Sequence, residues 1–229
     1  MPNTSRIALL DLIATHSFKL GDFTLASGQK SDYYIDCRTT TLHAEGGRLA
    51  GLVFYDLIRE HIPSAAAVGG LTMGADPLVS NTASASAWAL AEHDEIAALS
   101  GELDLDADPE PAPKLIHGFL VRKAEKAHGT GRRIEGFLQP GAHVVIVDDV
   151  CTTGGSTITA IEATRDAGMV VAGVLCLVDR EQGGRLNIER ALAEVPPTDG
   201  REHEVPFISV FTATDVRKAH VALNSAQNK

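Results

Sequence analysis

The stretch VVIVDDVCTTGGST, residues 144–157, decides the fold of this chain. Its first four residues are apolar and β-branched, which predicts a strand buried on both faces, as in parallel sheets. Apolar residues follow at helical spacing, and Gly168 ends the predicted helix over residues 154–167. A second apolar run at residues 170–178 predicts the next strand, so the stretch belongs to a βαβ unit.

Strand-like and helix-like segments alternate over most of the remaining chain. This alternation predicts an α/β fold with a central, mostly parallel sheet flanked by helices. In such a sheet the ligand binds at the carboxyl ends of the strands. Further strands are expected at residues 65–68, 115–121 and 207–211, two short ones within residues 23–36, a Gly-rich loop at residues 69–74, and helices at residues 5–17 and 41–61, with Thr41 as the cap of the second.

Length and composition favour a single compact domain, residues 1–229. Apolar residues make up 44% and charged residues 22%, which is typical of folded proteins. Because the sequence has neither an apolar run of about 18 residues nor a signal-peptide pattern, we expect a cytoplasmic protein without a membrane partner. The cysteines Cys37, Cys151 and Cys176 are an odd number without a CxxC pair, so we expect reduced thiols and no zinc site.

The charges are distributed unevenly. The net charge of −10 argues against a nucleic-acid partner, since that binding depends on many Lys and Arg contacts to phosphates. Between Arg59 and Lys114 there is no Lys or Arg, and residues 92–113 are acidic and rich in proline, which predicts a solvated surface loop or hairpin insert. Residues 122–133 are strongly basic instead. We expect this basic segment to bind an anion.

The residues after the decisive strand have the pattern of a phosphate site. Small residues and hydroxyls at the start of a helix leave backbone N–H groups open at the positive end of the helix dipole. The lysine of a GxxxxGK[ST] loop is absent, so nucleoside triphosphate hydrolysis is not indicated. Asp148 and Asp149 can accept hydrogen bonds from the 2′- and 3′-hydroxyls of a ribose. A ribose 5-phosphate site is therefore predicted, against the simpler alternative of a helix N-cap beside two acids. Its predicted contacts are Asp148, Asp149, Val150, Cys151, Thr152, Thr153, Gly154, Gly155 and Ser156.

The basic segment RKAEKAHG, residues 122–129, carries four potential cations and is followed by glycines that can act as hinges. Such a segment can close over a polyanion. Donors that reach a leaving group only as it gains negative charge stabilise the transition state more than the ground state. Lys126 and His128 are the predicted donors, and the alternative is a solvated surface turn.

Residues 144–157 resemble the phosphoribosyl pyrophosphate motif of the type I phosphoribosyltransferases. RKAEKAHGTGRRIEG, from residue 122 onward, resembles the catalytic loop of the orotate phosphoribosyltransferases. The resemblance implies a type I phosphoribosyltransferase fold and transfer of orotate to 5-phosphoribosyl 1-pyrophosphate (PRPP). The products would be orotidine 5′-phosphate and pyrophosphate, in pyrimidine (UMP) biosynthesis. It also implies Mg²⁺ held mainly by substrate and water, without a dedicated protein cage.

The same resemblance assigns roles within the basic segment. Arg122, Lys126 and His128 would bind pyrophosphate oxygens, and Lys123 would contact PRPP in the active site of a partner subunit. A homodimer is therefore expected. Among the predicted contacts, Lys126, His128, Asp148 and Asp149 are the expected catalytic residues.

The orotate contacts are also implied by resemblance. FTLASGQKSDYYID, residues 23–36, resembles the N-terminal hood of the family, which residues 1–40 and a C-terminal segment would form. This places Tyr34 and Ile35 against the orotate ring. VDREQGG, from residue 178, resembles the strand end whose arginine, here Arg180, approaches orotate, and Thr152 would add a hydroxyl. An arginine is a planar donor suited to a carboxylate, although a surface ion pair with its acidic neighbours is the alternative.

Two lysines of the family pattern are missing. Many members carry one where this chain has Ala26 and another where it has Met73, and both would face phosphate groups. Lys30 and the backbone N–H groups of residues 69–74 are the expected substitutes.

Two alternative functions stay open at this point. An adenine or uracil phosphoribosyltransferase would share residues 148–157 but would not require Lys126, His128 or Arg180. A non-catalytic regulator that senses PRPP and binds nucleic acid would use the same fold, although the acidic composition disfavours it.

Overall fold

A computed structural model describes residues 2–24, 30–100, 112–123, 133–194 and 205–227. Within these ranges helices and strands alternate as the sequence predicts. The helices are α1 (Pro2–His16), α2 (Arg38–Thr41), α3 (Ala44–His61), α4 (Asp76–Ser100), α5 (Gly155–Asp166), α6 (Gly184–Ala193) and α7 (Ala213–Gln227). The strands are β1 (Phe18–Thr24), β2 (Lys30–Ile35), β3 (Ala67–Leu71), β4 (His117–Val121), β5 (Ile134–Gly136), β6 (His143–Cys151), β7 (Val170–Asp179) and β8 (Phe207–Thr212).

The central sheet has the strand order β5-β4-β3-β6-β7-β8. Its neighbouring strands are parallel except for β5, which is antiparallel to β4. The carboxyl ends of β3, β4, β6, β7 and β8 therefore meet at one edge. The predicted α/β architecture with a mostly parallel sheet is confirmed.

Both faces of the sheet are buried, as the VVIV run predicts. Val145 and Val147 pack in one hydrophobic cluster, which includes residues of α1, α3, α4 and α7. Val144 and Ile146 pack in a second cluster with residues of α5 and α6. Alternate residues of β6 thus anchor helices on opposite faces, because side chains of a strand point alternately up and down.

β1 and β2 form an antiparallel hairpin separate from the central sheet. Phe18 of the hairpin contacts the rings of Tyr33 and His220, at centroid distances of 5.5 Å and 5.0 Å. Helix α1 packs against α3 and α7, so the first and last described helices are neighbours. The hairpin is therefore held beside the ligand-binding edge of the sheet by both ends of the described chain.

Two expected element boundaries are wrong near the glycines and acids. Gly69 and Gly70 belong to β3 rather than to a loop. A Cβ on Gly69 would lie 2.3 Å from the Phe119 ring, so this glycine permits close packing within the sheet. Asp148 and Asp149 lie inside β6 rather than after it, because pairing with β7 continues as far as Cys151.

Two helix predictions also need correction. Thr41 ends the short helix α2, and His43 is the N-cap of α3, with its Nδ1 accepting a 3.3 Å hydrogen bond from the Gly46 N–H. The first part of the acidic insert, from Glu92 to Ser100, continues helix α4 instead of forming a loop. Alanine and glutamate favour helix, and an acidic composition does not by itself end one. Residues 101–111 lie outside the described residues. None of the described helices meets the length and hydropathy needed to cross a membrane.

Candidate active site

A cavity of about 830 Å³ lies at the carboxyl edge of the sheet. The hairpin forms one wall, the ends of β3 and β4 form another, and β6 with the start of α5 forms the floor. Eight of the predicted site residues line it: Tyr34, Ile35, Arg122, Lys123, Asp148, Asp149, Val150 and Ser156. Tertiary structure thus brings together residues that are up to 122 positions apart in sequence.

Asp148 points toward the first turn of α5. Its Oδ2 accepts a 2.7 Å hydrogen bond from the Thr157 hydroxyl, and its Oδ1 accepts one from the Asp149 N–H at 3.1 Å. Burial raises the pKa of the Asp148 carboxyl to about 7, and the charge of Asp149 adds to the shift while Thr157 opposes it. Asp148 is therefore a carboxyl group that titrates near neutral pH.

Asp149 faces different neighbours, since adjacent strand residues point in opposite directions. Its Oδ1 accepts a 3.0 Å hydrogen bond from the Val150 N–H. A Cβ on Gly74 would lie 2.4 Å from the same oxygen, so only glycine lets this segment approach the carboxylate so closely. Burial raises the pKa of Asp149, and the Val150 N–H and the positive charge of Arg38 oppose that shift.

The predicted phosphate loop leads from β6 into α5. Gly154, the N-cap of α5, has a φ of +83°, which glycine adopts without strain. The Ile158 N–H donates a 2.9 Å hydrogen bond to the Gly154 carbonyl, the first bond within the helix. The N–H groups that precede Ile158 in the first turn have no such partner within the helix, so they can bind an anion.

Helix α6 supports this loop from behind. The Asn187 amide donates a 3.0 Å hydrogen bond to the Thr153 carbonyl. A Cβ on Gly184 would lie 2.4 Å from Cys151 Sγ and 2.7 Å from the Thr152 carbonyl oxygen. The Cys151 side chain is thus buried against α6 and turned away from the cavity, so any ligand contact of Cys151 would use its backbone. Among the described residues, 152–155 do not line the cavity but continue from its floor.

Arg180 is buried beneath the hairpin, immediately after β7. Its Nη2 lies 3.5 Å from the Ser31 hydroxyl, its guanidinium carbon lies 4.9 Å from the centroid of the Tyr33 ring, and its Nε is buried without a hydrogen-bond partner among the described residues. The alternative of a surface ion pair is wrong, because Arg180 is buried; of its acidic neighbours, Asp179 Oδ2 lies 3.9 Å from Arg185 Nε, and Glu181 accepts a hydrogen bond from the Thr214 hydroxyl. A buried arginine with an unused donor is suited to an anionic ligand, but Arg180 is not among the residues that line the cavity of about 830 Å³.

The basic segment is described only at its start. Arg122 Nη1 lies 3.5 Å from Oε1 of Glu135 in β5, and Lys123 lines the cavity of its own chain. Lys126 and His128 lie outside the described residues, as does Ala26. Lys30, an expected substitute for a missing lysine, donates a 2.9 Å hydrogen bond to Thr24 and does not line this cavity.

Some cavity residues were missed by the sequence analysis. Asp36 and Arg38 line the wall next to Tyr34 and form an ion pair with a 2.7 Å contact. The signal was present in YYIDCR, where charged residues follow a strand of the hood. Leu120 and Glu135 were missed as well, whereas Leu71, Thr72, Met73 and Gly74 belong to the segment 69–74 whose backbone N–H groups were expected to face phosphate.

Comparison with known proteins adds a second kind of observation. The family model for the phosphoribosyl transferase domain matches residues 122–192. The chain is 41% identical over 186 residues to orotate phosphoribosyltransferase of Rhodopirellula baltica, covering 80% of this chain and 84% of that protein. It is 43% identical over 213 residues to orotate phosphoribosyltransferase of Synechocystis, covering 93% and 88%.

Solved structures agree with these sequence relatives. Mycobacterium tuberculosis H37Rv orotate phosphoribosyltransferase in complex with Fe(III) dicitrate matches with a TM-score of 0.66 and 33% identity, covering 93% of this chain and 98% of that one. The same mycobacterial enzyme in complex with PRPP matches with a TM-score of 0.63 and 30% identity, covering 93% and 99%. The similarity in fold therefore extends over 93% of this chain.

Proposed function

This chain belongs to the orotate phosphoribosyltransferase family, and from that premise we propose which of its residues bind each part of the substrates. It is a pentosyltransferase of the type I phosphoribosyltransferase fold that joins orotate to PRPP in pyrimidine biosynthesis. The function predicted from the sequence is confirmed. The adenine, uracil and regulatory alternatives are set aside, because the relatives at about 40% identity are orotate phosphoribosyltransferases.

The sugar phosphate is assigned to the floor of the cavity. The amide groups at the start of α5, with the hydroxyls of Thr153 and Ser156, would bind the 5-phosphate. Asp149, and Asp148 when ionised, would accept hydrogen bonds from the ribose hydroxyls. The observation that most supports this assignment is that Ser156 and both carboxylates lie together on the floor of the same cavity.

Orotate is assigned to the space between the hairpin and the end of β7. It is a planar ring that carries a carboxylate, and Arg180 offers a buried Nε without a partner among the described residues, next to Ser31 of the hairpin. The side chain of Tyr34 is 40% exposed at the cavity, where it can cover a flat ring. Ile35 and the Thr152 hydroxyl would complete the contacts.

Mg²⁺ fits the oxygen donors of this cavity. The described residues contain no group of three or more His, Cys, Asp or Glu side chains arranged to hold a metal ion. Mg²⁺ commonly keeps several waters and binds through substrate phosphates and one or two carboxylates. Asp149 would hold the ion through its bound water, and the bound ion would neutralise charge on the pyrophosphate.

The reaction then needs positioning and electrostatic stabilisation more than proton transfer. The bond between N1 of orotate, which has already lost its proton, and the anomeric carbon forms as the bond from that carbon to pyrophosphate oxygen breaks. Asp148 and Asp149 lie beside the ribose, which becomes positively charged. Arg122, Lys126 and His128 would neutralise the departing pyrophosphate, which carries away the electron pair of the broken bond.

The enzyme is proposed to work as a cytoplasmic homodimer in which Lys123 contacts PRPP bound to the neighbouring subunit. In the single chain Lys123 lines the cavity, so the proposed role across the dimer requires it to contact PRPP of the partner subunit instead of its own.

Steady-state turnover with Mg²⁺, PRPP and each of orotate, adenine and uracil tests the assigned substrate. We expect turnover with orotate and none with adenine or uracil. The cavity assignment is tested separately by calorimetric titration of PRPP into the wild type and Asp149→Asn. Equal PRPP affinity in these two proteins would contradict it.

A further inference from the structure

Asp36 and Arg38 form a closely matched ion pair on the wall of the cavity. Arg38 Nε donates to Asp36 Oδ1 at 2.8 Å, and Arg38 Nη2 donates to Asp36 Oδ2 at 2.7 Å. The backbone N–H of Arg38 also donates to Asp36 Oδ1, at 3.1 Å. One edge of the guanidinium is therefore fixed by the carboxylate, and its orientation is set before any ligand arrives.

The opposite edge of the same guanidinium is unused. A guanidinium carries five N–H donors. Within the described residues, Nη1 and the second hydrogen of Nη2 have no hydrogen-bond partner. The Arg38 side chain is 45% exposed, and it lines the cavity together with Met73 and Asp149. A second donor fork is thus held at the cavity wall, with a geometry that matches phosphate oxygens.

The charges around the cavity show why this fork matters. The described lining contains four acids, Asp36, Asp148, Asp149 and Glu135, and three cations, Arg38, Arg122 and Lys123. Arg122 lies near Glu135 on the far wall. Met73 contributes no charge, so Arg38 supplies the positive charge on the side of the hairpin.

We propose that Arg38, oriented by Asp36, binds the pyrophosphate group of PRPP. The proposal rests on the assignment of the cavity to PRPP. The 5-phosphate is placed at the start of α5 and the ribose at Asp149, so the pyrophosphate is the anionic part of PRPP left to reach Arg38. Orotate has its own buried cation in Arg180. Arg38 is therefore a substrate-binding residue, and Asp36 is its positioning residue.

The experiment compares Arg38→Met and Arg38→Lys with a matched control, Arg48→Met. Arg48 forms a similar forked pair with Glu45, at 2.8 Å and 2.6 Å, but it lies on the first turns of α3 and does not line the cavity. The measurements are the KM for PRPP, the KM for orotate, the affinity for inorganic pyrophosphate with Mg²⁺ by calorimetry, and the Tm.

We expect Arg38→Met to raise the KM for PRPP and weaken pyrophosphate binding by about 10- to 100-fold, since a hydrogen bond to a charged group contributes about 1.5–3 kcal/mol. The KM for orotate should stay within about twofold. Arg38→Lys should be intermediate, because an ammonium keeps the charge but loses the fork. Asp36→Asn should weaken PRPP binding less than Arg38→Met. Arg48→Met should match the wild type.

Unchanged pyrophosphate affinity in Arg38→Met would overturn the proposal, as would a rise in the KM for orotate instead of PRPP. A loss in Arg38→Met that is matched by Arg48→Met or by a fall in Tm would show a structural role. If Arg38→Met does not fold, Arg38→Lys decides by the same readouts. A wild type that does not bind PRPP would instead refute the cavity assignment, which is a distinguishable failure.

Discussion

The Thr157 hydroxyl donates a 2.7 Å hydrogen bond to Oδ2 of Asp148, joining the first turn of α5 to strand β6. This bond connects the predicted phosphate loop to the predicted ribose-binding carboxyl. It also leaves Asp148 in a buried position where its pKa is raised to about 7, mainly by burial. The site is therefore built around a carboxyl group whose charge depends on pH in the working range.

Asp148→Asn should change how the free energy of unfolding depends on pH. In the unfolded chain Asp148 ionises near its ordinary pKa of 3.8, but in the folded protein it ionises near 7. Its favourable contribution is thus fully present below about pH 4 and is lost as the pH rises to about 7. Without substrates, the free energy of unfolding of the wild type should fall by up to about 4 kcal/mol relative to that of Asp148→Asn over this range. Urea unfolding of both proteins at several pH values measures this difference.

Asp215→Asn is the control for that experiment. Hydrogen bonds from Thr212 lower the pKa of Asp215, so its contribution is present above the ordinary pKa and is lost as the pH falls. The free energy of unfolding of the wild type should therefore rise relative to that of Asp215→Asn as the pH rises through about 4. This is the opposite direction to the effect expected for Asp148. A pH-independent difference between the wild type and Asp148→Asn would contradict the raised pKa.

Lys126→Ala and His128→Ala should each reduce kcat by about 100-fold or more, with a much smaller change in PRPP affinity. Donors that meet the pyrophosphate as it departs act mainly in the transition state. Single-turnover kinetics and PRPP titration separate the two effects. Unchanged turnover in both variants would remove these residues from the mechanism.

Arg180→Met should raise the KM for orotate by at least about tenfold without lowering the Tm of the free enzyme. The substitution removes the cation proposed to bind orotate but also removes a buried Nε that has no partner among the described residues, whose burial costs about 1–3 kcal/mol. Steady-state kinetics measures the KM for orotate, and thermal unfolding measures the Tm. Arg185→Met is the matched control on α6, and it should leave the KM for orotate unchanged. A large fall in Tm with an unchanged KM would show that Arg180 is structural.

Mixing two inactive variants, Lys123→Ala and Asp149→Asn, tests the proposed role of Lys123 across the dimer. If Lys123 acts on the neighbouring subunit, each mixed dimer has one complete site. Random exchange of equal amounts should then restore about a quarter of wild-type activity. If Lys123 acts within its own subunit, both sites of a mixed dimer are defective and no activity returns. Each variant mixed with itself is the control.

Several features could be predicted from short stretches of sequence because they depend on local chemistry. The apolar run before Asp148 is stable only as a strand that is buried on both faces. Such strands are typical of parallel sheets, so the run predicts the sheet type. Glycines and hydroxyls around the start of α5 predict a phosphate loop for the same reason, and that role stays a prediction. Element boundaries were less predictable: β6 extends through Asp149 to Cys151 because β7 lies beside it, and α4 continues through Glu92 into the acidic stretch.

The sequence by itself therefore determined the fold class and the family, and it predicts which residues bind phosphate, ribose and orotate. Only the tertiary structure decided which of them share a cavity, that Arg180 is buried with an unused donor, and that Arg38 faces Asp149 with one edge fixed by Asp36. The reason is physical. A motif specifies which groups a segment can offer, but burial, charge and orientation depend on neighbours that are far away in the chain.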